Sequence, residues 1–121
     1  MERQEYNYVV LVMKIFNKLI RDKIPSIIET SGKDFDIRTL SHEEYKLELK
    51  RKVIEEAKEL FEANTTEEII NELGDVLEVV DSIIKEFNLD KEILNNKRIE
   101  KYNERGGFDD KLFLISVSEK K

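Results

Sequence analysis

The chain has 121 residues and a net charge of −6 at pH 7, with 40% charged and 40% hydrophobic residues; this suits one domain with a modest core, the kind that often leans on oligomerisation. The acidic balance disfavours a general nucleic-acid binder. The absence of cysteine excludes disulfides, thiolate catalysis and Cys-based zinc sites, and His42, the sole histidine, leaves no paired Glu-x-x-His di-iron bundle and no Ser-His-Asp triad built elsewhere.

Residues 1–12 read as an N-terminal extension, with 13–121 as a single helical domain. Tyr8 to Met13 is apolar but too short for a membrane span of ~20 residues. Glu2 and Glu5 precede it, which does not suit a signal peptide. Neither a membrane partner nor a secreted location is expected, and the protein reads as cytoplasmic. Tyr8 to Val12 are β-prone and predict a strand running into Ile15; the other reading is that the natural start is Met13-Lys14-Ile15-Phe16.

Pro25 suits the first turn of a short helix through Ser26 to Thr30, with Gly32 ending it. Phe35 to Leu40 alternates weakly and predicts a short strand. Ser41-His42-Glu43-Glu44 is a capping box, Ser41 at N-cap and Glu44 at N3, and predicts a long helix to about Ala63. Thr65-Thr66-Glu67-Glu68 is a second capping box, which opens a helix to about Phe87. So short a connection makes the two helices antiparallel neighbours. A third helix is expected from Asp90 to about Glu104, ended by Gly106-Gly107, and Leu112 to Val117 reads as a terminal strand. The fold class is therefore all-α, an antiparallel helical bundle with short peripheral β-strands near the termini.

Glu56 and Glu59 form one i, i+3 acidic pair, and Glu72 and Asp75 form another. On a helix each pair shares one side. Leu49, Val53, Ala57, Leu60 and Phe61 make an apolar stripe on the first long helix; Ile69, Leu73, Val76, Val80, Ile83, Ile84 and Phe87 do so on the second. At about 100° per residue, Glu56 and Glu72 fall about 80° from their stripe centres, at the border of the core, and Glu59 and Asp75 about 140°. Purely solvating acids would prefer the far face, where Glu62 and Glu78 lie. Four gathered carboxylates are costly without a cation among them. The pattern suits Mg²⁺, which takes oxygen ligands and usually serves phosphate chemistry. Glu55 is the adjacent candidate for a general base. The plainer reading is chance spacing in an acidic chain, with Lys52, Lys58 and Lys85 making surface ion pairs worth little.

Lys97, Lys101 and Arg105 recur at i, i+4 on one face of the third helix, and Lys18, Arg21 and Lys23 spread along the segment before Pro25. They read either as phosphate ligands or as solvated basic surface. His42 reads as a solvated helix-start residue. Phe108 and Phe113 read as core or dimer contacts rather than base-stacking platforms, and nothing in the sequence argues for Asn95 or Asn96 as readers of a base.

Glu56-x-x-Glu59, a gap, then Glu72-x-x-Asp75 resembles the signature of the MazG-like all-α nucleoside triphosphate pyrophosphohydrolases. Asn17-Lys18-Leu19-Ile20-Arg21-Asp22-Lys23-Ile24-Pro25 resembles the opening motif of a small stand-alone house-cleaning branch of that superfamily. Lys101-Tyr102-Asn103-Glu104-Arg105-Gly106-Gly107-Phe108 resembles its closing motif. Gly74 departs from the Ala that many relatives of that branch carry. The resemblance implies Mg²⁺-dependent cleavage (Mn²⁺ as substitute) of a nucleoside triphosphate into monophosphate and pyrophosphate. It implies Glu56, Glu59, Glu72 and Asp75 as metal ligands and Glu55, with Glu56, as catalytic. It favours Lys101 and Arg105 for phosphate, then Lys97, Lys18, Arg21 and Lys23. A homodimer or higher homo-oligomer is expected. The alternatives are a phosphoribosyl-ATP pyrophosphohydrolase and a non-catalytic helical nucleotide-sensing or interaction module.

Overall fold

A computed structural model describes residues 13–120. All regular secondary structure among them is helical: α1 (Ile24–Thr30), α2 (His42–Glu62), α3 (Thr66–Glu86) and α4 (Lys91–Arg105). The chain divides into two compact units, with the boundary between Lys52 and Val53 inside α2.

In the first unit, Pro25 sits in the opening turn of α1, where its missing N–H costs nothing. Gly32 follows at φ 80°, in the left-handed region that suits glycine. The Ser41 capping box closes in both directions. The Glu44 N–H donates to Ser41 Oγ at 3.2 Å, and the Ser41 N–H donates to Glu44 Oε1 at 3.3 Å. Arg38 approaches the same carboxylate with two bonds, at 3.2 and 2.6 Å. Leu49, at 2% exposure, is the most enclosed apolar residue among those described.

In the second unit, residues 63–65 separate the end of α2 from α3. Thr65 caps α3 by accepting the Glu68 N–H at 3.1 Å, while Glu68 reaches back to the Asn64 N–H at 2.9 Å, one residue earlier than a simple box would have it. Asp90 caps α4 by accepting the Glu92 N–H at 2.8 Å. Gly106, at φ 78°, ends it, with its N–H donating to the Tyr102 carbonyl at 2.8 Å.

Two expectations are corrected. The strands predicted at 35–40 and 112–117 do not form; the one expected at 8–12 lies outside the described residues. β-Prone residues become a strand only when a neighbour completes the ladder, and no described residue pairs with either run. Leu112, Phe113, Leu114, Ile115 and Val117 are all exposed.

The apolar stripes hold at Leu49, Val53 and Leu60 on α2 and at Val76, Val80, Ile83, Ile84 and Phe87 on α3, and fail at four other positions. On α2, Ala57 is exposed and Phe61 is 89% exposed, whereas Glu56 is buried. On α3, Ile69 and Leu73 are exposed, while Val79 is buried and Glu72, Asp75 and Val76 are half-buried. In the second unit the inward face of α2 follows Val53, Glu56 and Leu60, an i, i+3, i+7 seam. A carboxylate therefore occupies a position on the seam itself rather than its border. Ile54 and Phe61 of α2 and Ile70 and Leu77 of α3 are left facing outward.

Candidate metal centre

The hairpin geometry explains why the four acids meet. Counting outward from the Thr65–Thr66 peptide, Glu59 and Glu72 are each the seventh residue and Glu56 and Asp75 each the tenth. In an antiparallel helix pair with its turn at that point, residues equidistant from the turn lie level with one another. Glu59 thus comes beside Glu72 and Glu56 beside Asp75, and the i, i+3 spacing stacks the two levels on one side. Each of the four residues has a carboxylate oxygen that lies within 4.8 Å of the corresponding oxygens of the other three.

Burial makes this arrangement costly. Glu56 is 7% exposed, and Glu72 and Asp75 are half-buried. Oε2 of Glu72 and Oε2 of Glu56 are enclosed without a hydrogen bond to those atoms; Glu56 makes other interactions within the chain. Desolvation pushes the Glu72 pKa up. The Asn71 amide, 3.4 Å away, opposes that rise, and the charges of Glu59 and Asp75 add to it. A carboxyl whose folded pKa is raised holds its proton better when folded, so the metal-free fold loses stability as pH rises from the ordinary carboxylate value through Glu72's higher one.

A divalent cation would relieve these penalties together. Magnesium takes oxygen ligands at about 2.1 Å, so opposite ligands of an octahedron stand roughly 4.2 Å apart. Four oxygens within 4.8 Å of one another fit that span with a small closure. The donor set is all carboxylate oxygen, which suits Mg²⁺ or Mn²⁺ and not a soft metal.

Glu55 is half-buried one step along α2, outside the four converging carboxylates, and makes interactions of its own. Lys18, Arg21 and Lys23 belong to the first unit and are exposed; the Lys18 ammonium lies 5.5 Å from the centre of the Phe16 ring. In the second unit, Lys97 pairs with Glu100 at 3.4 Å. Lys101 and Arg105 instead line an open groove at the C-terminal end of α4 together with Arg98, which sequence reasoning passed over. Its i+7 spacing to Arg105 was the available signal.

No family model and no solved structure matches the chain. An uncharacterised protein of Mycolicibacterium smegmatis is 48% identical over 48 residues, which is 40% of this chain and 49% of that protein. The match thus spans about half the length of the relative. No helix among the described residues is long and apolar enough to cross a membrane.

Proposed function

We propose that this chain is a Mg²⁺-dependent nucleotide pyrophosphohydrolase of the cytoplasm, cleaving a non-canonical or surplus nucleoside triphosphate into the monophosphate and pyrophosphate. One observation carries the metal: four carboxylates converge within 4.8 Å on a partly buried face, with Oε2 of Glu72 enclosed and unbonded. The reaction class rests on the resemblance of the acidic, opening and closing motifs to the MazG-like pyrophosphohydrolases.

Glu56, Glu59, Glu72 and Asp75 would hold the cation, which when bound would supply positive charge for phosphate oxygens. Glu55, adjacent to Glu56 but outside the cluster, is the base. It takes a proton from the attacking water as the new P–O bond forms and the α–β bridge breaks, leaving the electron pair on pyrophosphate. Burial restrains the Glu56 side chain, so its carboxylate would be in position before metal and substrate arrive.

The active form is a homo-oligomer, a dimer in the simplest case. Support comes from the outward apolar residues: Ile54, Phe61, Ile70 and Leu77 on the hairpin, and Phe113 and Ile115 beyond α4.

The test is pyrophosphate release over a panel of nucleoside triphosphates and phosphoribosyl-ATP, run beside thermal melts in rising Mg²⁺. Turnover abolished by Glu56→Gln, with Mg²⁺ raising the melting temperature of the wild type only, is the expected result. A folded protein that turns over none of the panel would sink the enzyme. A melting temperature indifferent to Mg²⁺ would sink the metal centre and leave a helical interaction module.

A further inference from the structure

The groove at the end of α4 is built from one helix face and the chain that folds back over it. Asn95, Arg98, Tyr102 and Arg105 follow one another at helical spacing along that face, and Lys101 borders it. The groove has a volume of about 890 Å³, within the range of small-molecule sites. Three cations line it and no carboxylate does. Among the described residues, the ion pair of α4 is Lys97 with Glu100; none is formed by Arg98, Lys101 or Arg105. In a chain with a net charge of −6, a patch of three cations without acids is a local inversion.

The second element is aromatic. Gly106 turns the chain at φ 78°, and Gly107 then passes against the Tyr102 ring. Gly107 itself does not have a positive φ, so conformational freedom does not explain its glycine. Close approach does: a Cβ there would stand 3.2 Å from Tyr102 Cε2. The passage delivers Phe108 to the groove with its side chain 98% exposed. A phenyl ring this exposed contributes nothing to the core, which removes one of the two roles, core or dimer contact, that the sequence suggests. It leaves a flat apolar surface beside cationic heads.

We propose that this groove seats a nucleotide, its ring against Tyr102 and Phe108 and its phosphates on Arg98, Lys101 and Arg105. Guanidinium groups bind phosphate oxygens two at a time, and an aromatic face accepts any base. Asn95, with a donor and an acceptor at the far end of the face, is placed to bond the base or sugar. As a substrate seat the groove rests on the hydrolase reading; as a nucleotide-binding groove it does not.

The experiment is calorimetric titration of the full chain in EDTA with ATP, UTP and inorganic triphosphate, alongside sedimentation. Wild type binds all three. Phe108→Ala, a change at a solvent-facing side chain, weakens ATP and UTP by about tenfold or more and leaves triphosphate unchanged. Arg98→Gln weakens all three by about tenfold. Failure of folded wild type to bind ATP or UTP overturns the proposal, as does unchanged nucleotide affinity in both variants. A loss of assembled mass in Phe108→Ala with ATP affinity intact also overturns it, because the groove is then covered by a second copy. The two readings fail separately. Binding sensitive to these variants but without pyrophosphate release removes the hydrolase and keeps the groove. Turnover with the same KM in both variants removes the groove and keeps the hydrolase.

Discussion

The α2–α3 hairpin and the stretch from α4 to Val117 distribute their side chains in opposite ways. The hairpin turns carboxylates inward, with Glu56 buried and Glu72 and Asp75 half-buried, and leaves Phe61, Ile70 and Leu77 outside. The C-terminal stretch has no buried residue at all: Ile93, Ile99, Phe108 and the run from Leu112 to Ile115 are exposed. In the hairpin the anomaly is carboxylate drawn from water, with oxygens of four acids converging on one side of the two helices. In the C-terminal stretch it is apolar surface left in water without a cover. Under the proposed function the answers differ in kind: a cation for the first, protein or ligand surface for the second.

The comparison breaks most visibly at Glu72. If its enclosed oxygen is a metal ligand, Glu72→Gln lowers pyrophosphate release by about 100-fold or more. The same variant abolishes the Mg²⁺-dependent rise in melting temperature, which for wild type at a hundred times Kd corresponds to about 2.7 kcal/mol. Without metal, the variant melts above wild type, because a neutral amide replaces a desolvated acid beside Glu59 and Asp75. A metal-free variant that melts lower, with Mg²⁺ stabilisation retained, contradicts the reading.

For the C-terminal stretch, the sharpening change is Phe113→Asp with Ile115→Asp. Burying a residue of that size contributes about 1.5–3 kcal/mol, so each replacement that falls within the interface weakens self-association by about tenfold or more. Sedimentation over a dilution series reads this directly. Unchanged mass excludes the run from the interface and turns attention to Ile70 and Leu77 of the hairpin.

What was legible in the sequence divides along the same line. Capping signals are local, and Ser41/Glu44, Thr65/Glu68 and Asp90 each start a helix where the sequence predicts one. The meeting of the four acids was legible too, because two i, i+3 pairs and a short turn fix their level without knowledge of the rest. The exposure of Ala57, Phe61, Ile69 and Leu73 was not. Composition ranks Ala57 and Phe61 above Glu56 for burial, and a buried carboxylate needs compensation that hydrophobic patterning does not show. The run 112–117 forms no strand because β-propensity reports a willingness to pair and says nothing of whether a partner exists. From the sequence Phe108 reads as a core or dimer contact; its exposure excludes the first, and its place in the groove with Tyr102 follows from the passage of Gly107 against that ring, which no local pattern reveals.

Gly74 offers a smaller test within the hairpin. It lies in the middle of α3 with nothing within 4 Å of where a Cβ would stand. Gly74→Ala therefore adds no clash and removes the backbone-entropy cost of glycine, stabilising by about 1 kcal/mol. In a two-state domain of this size the melting temperature rises by about 4 °C. A drop on substitution would mean that a surface absent from the single chain, such as a second copy, closes on that position.

The smallest effect is electrostatic and belongs to the start of α2. The Arg38 guanidinium, followed by the Ser41 backbone N–H, holds the Glu44 carboxyl down at about 2, against an ordinary value of 4.5. A depressed carboxylate contributes stability that is fully present above the unfolded value and is lost as pH falls through the folded one. The pair is exposed on both sides, so water and salt screen most of it. Urea midpoints of wild type and Glu44→Gln should differ slightly at pH 7, converge as pH falls from about 4.5 towards 2, and converge again at pH 7 in high salt. A difference that persists at pH 2 would assign the effect to the Ser41 cap geometry, which a glutamine side chain reproduces imperfectly, rather than to the charge.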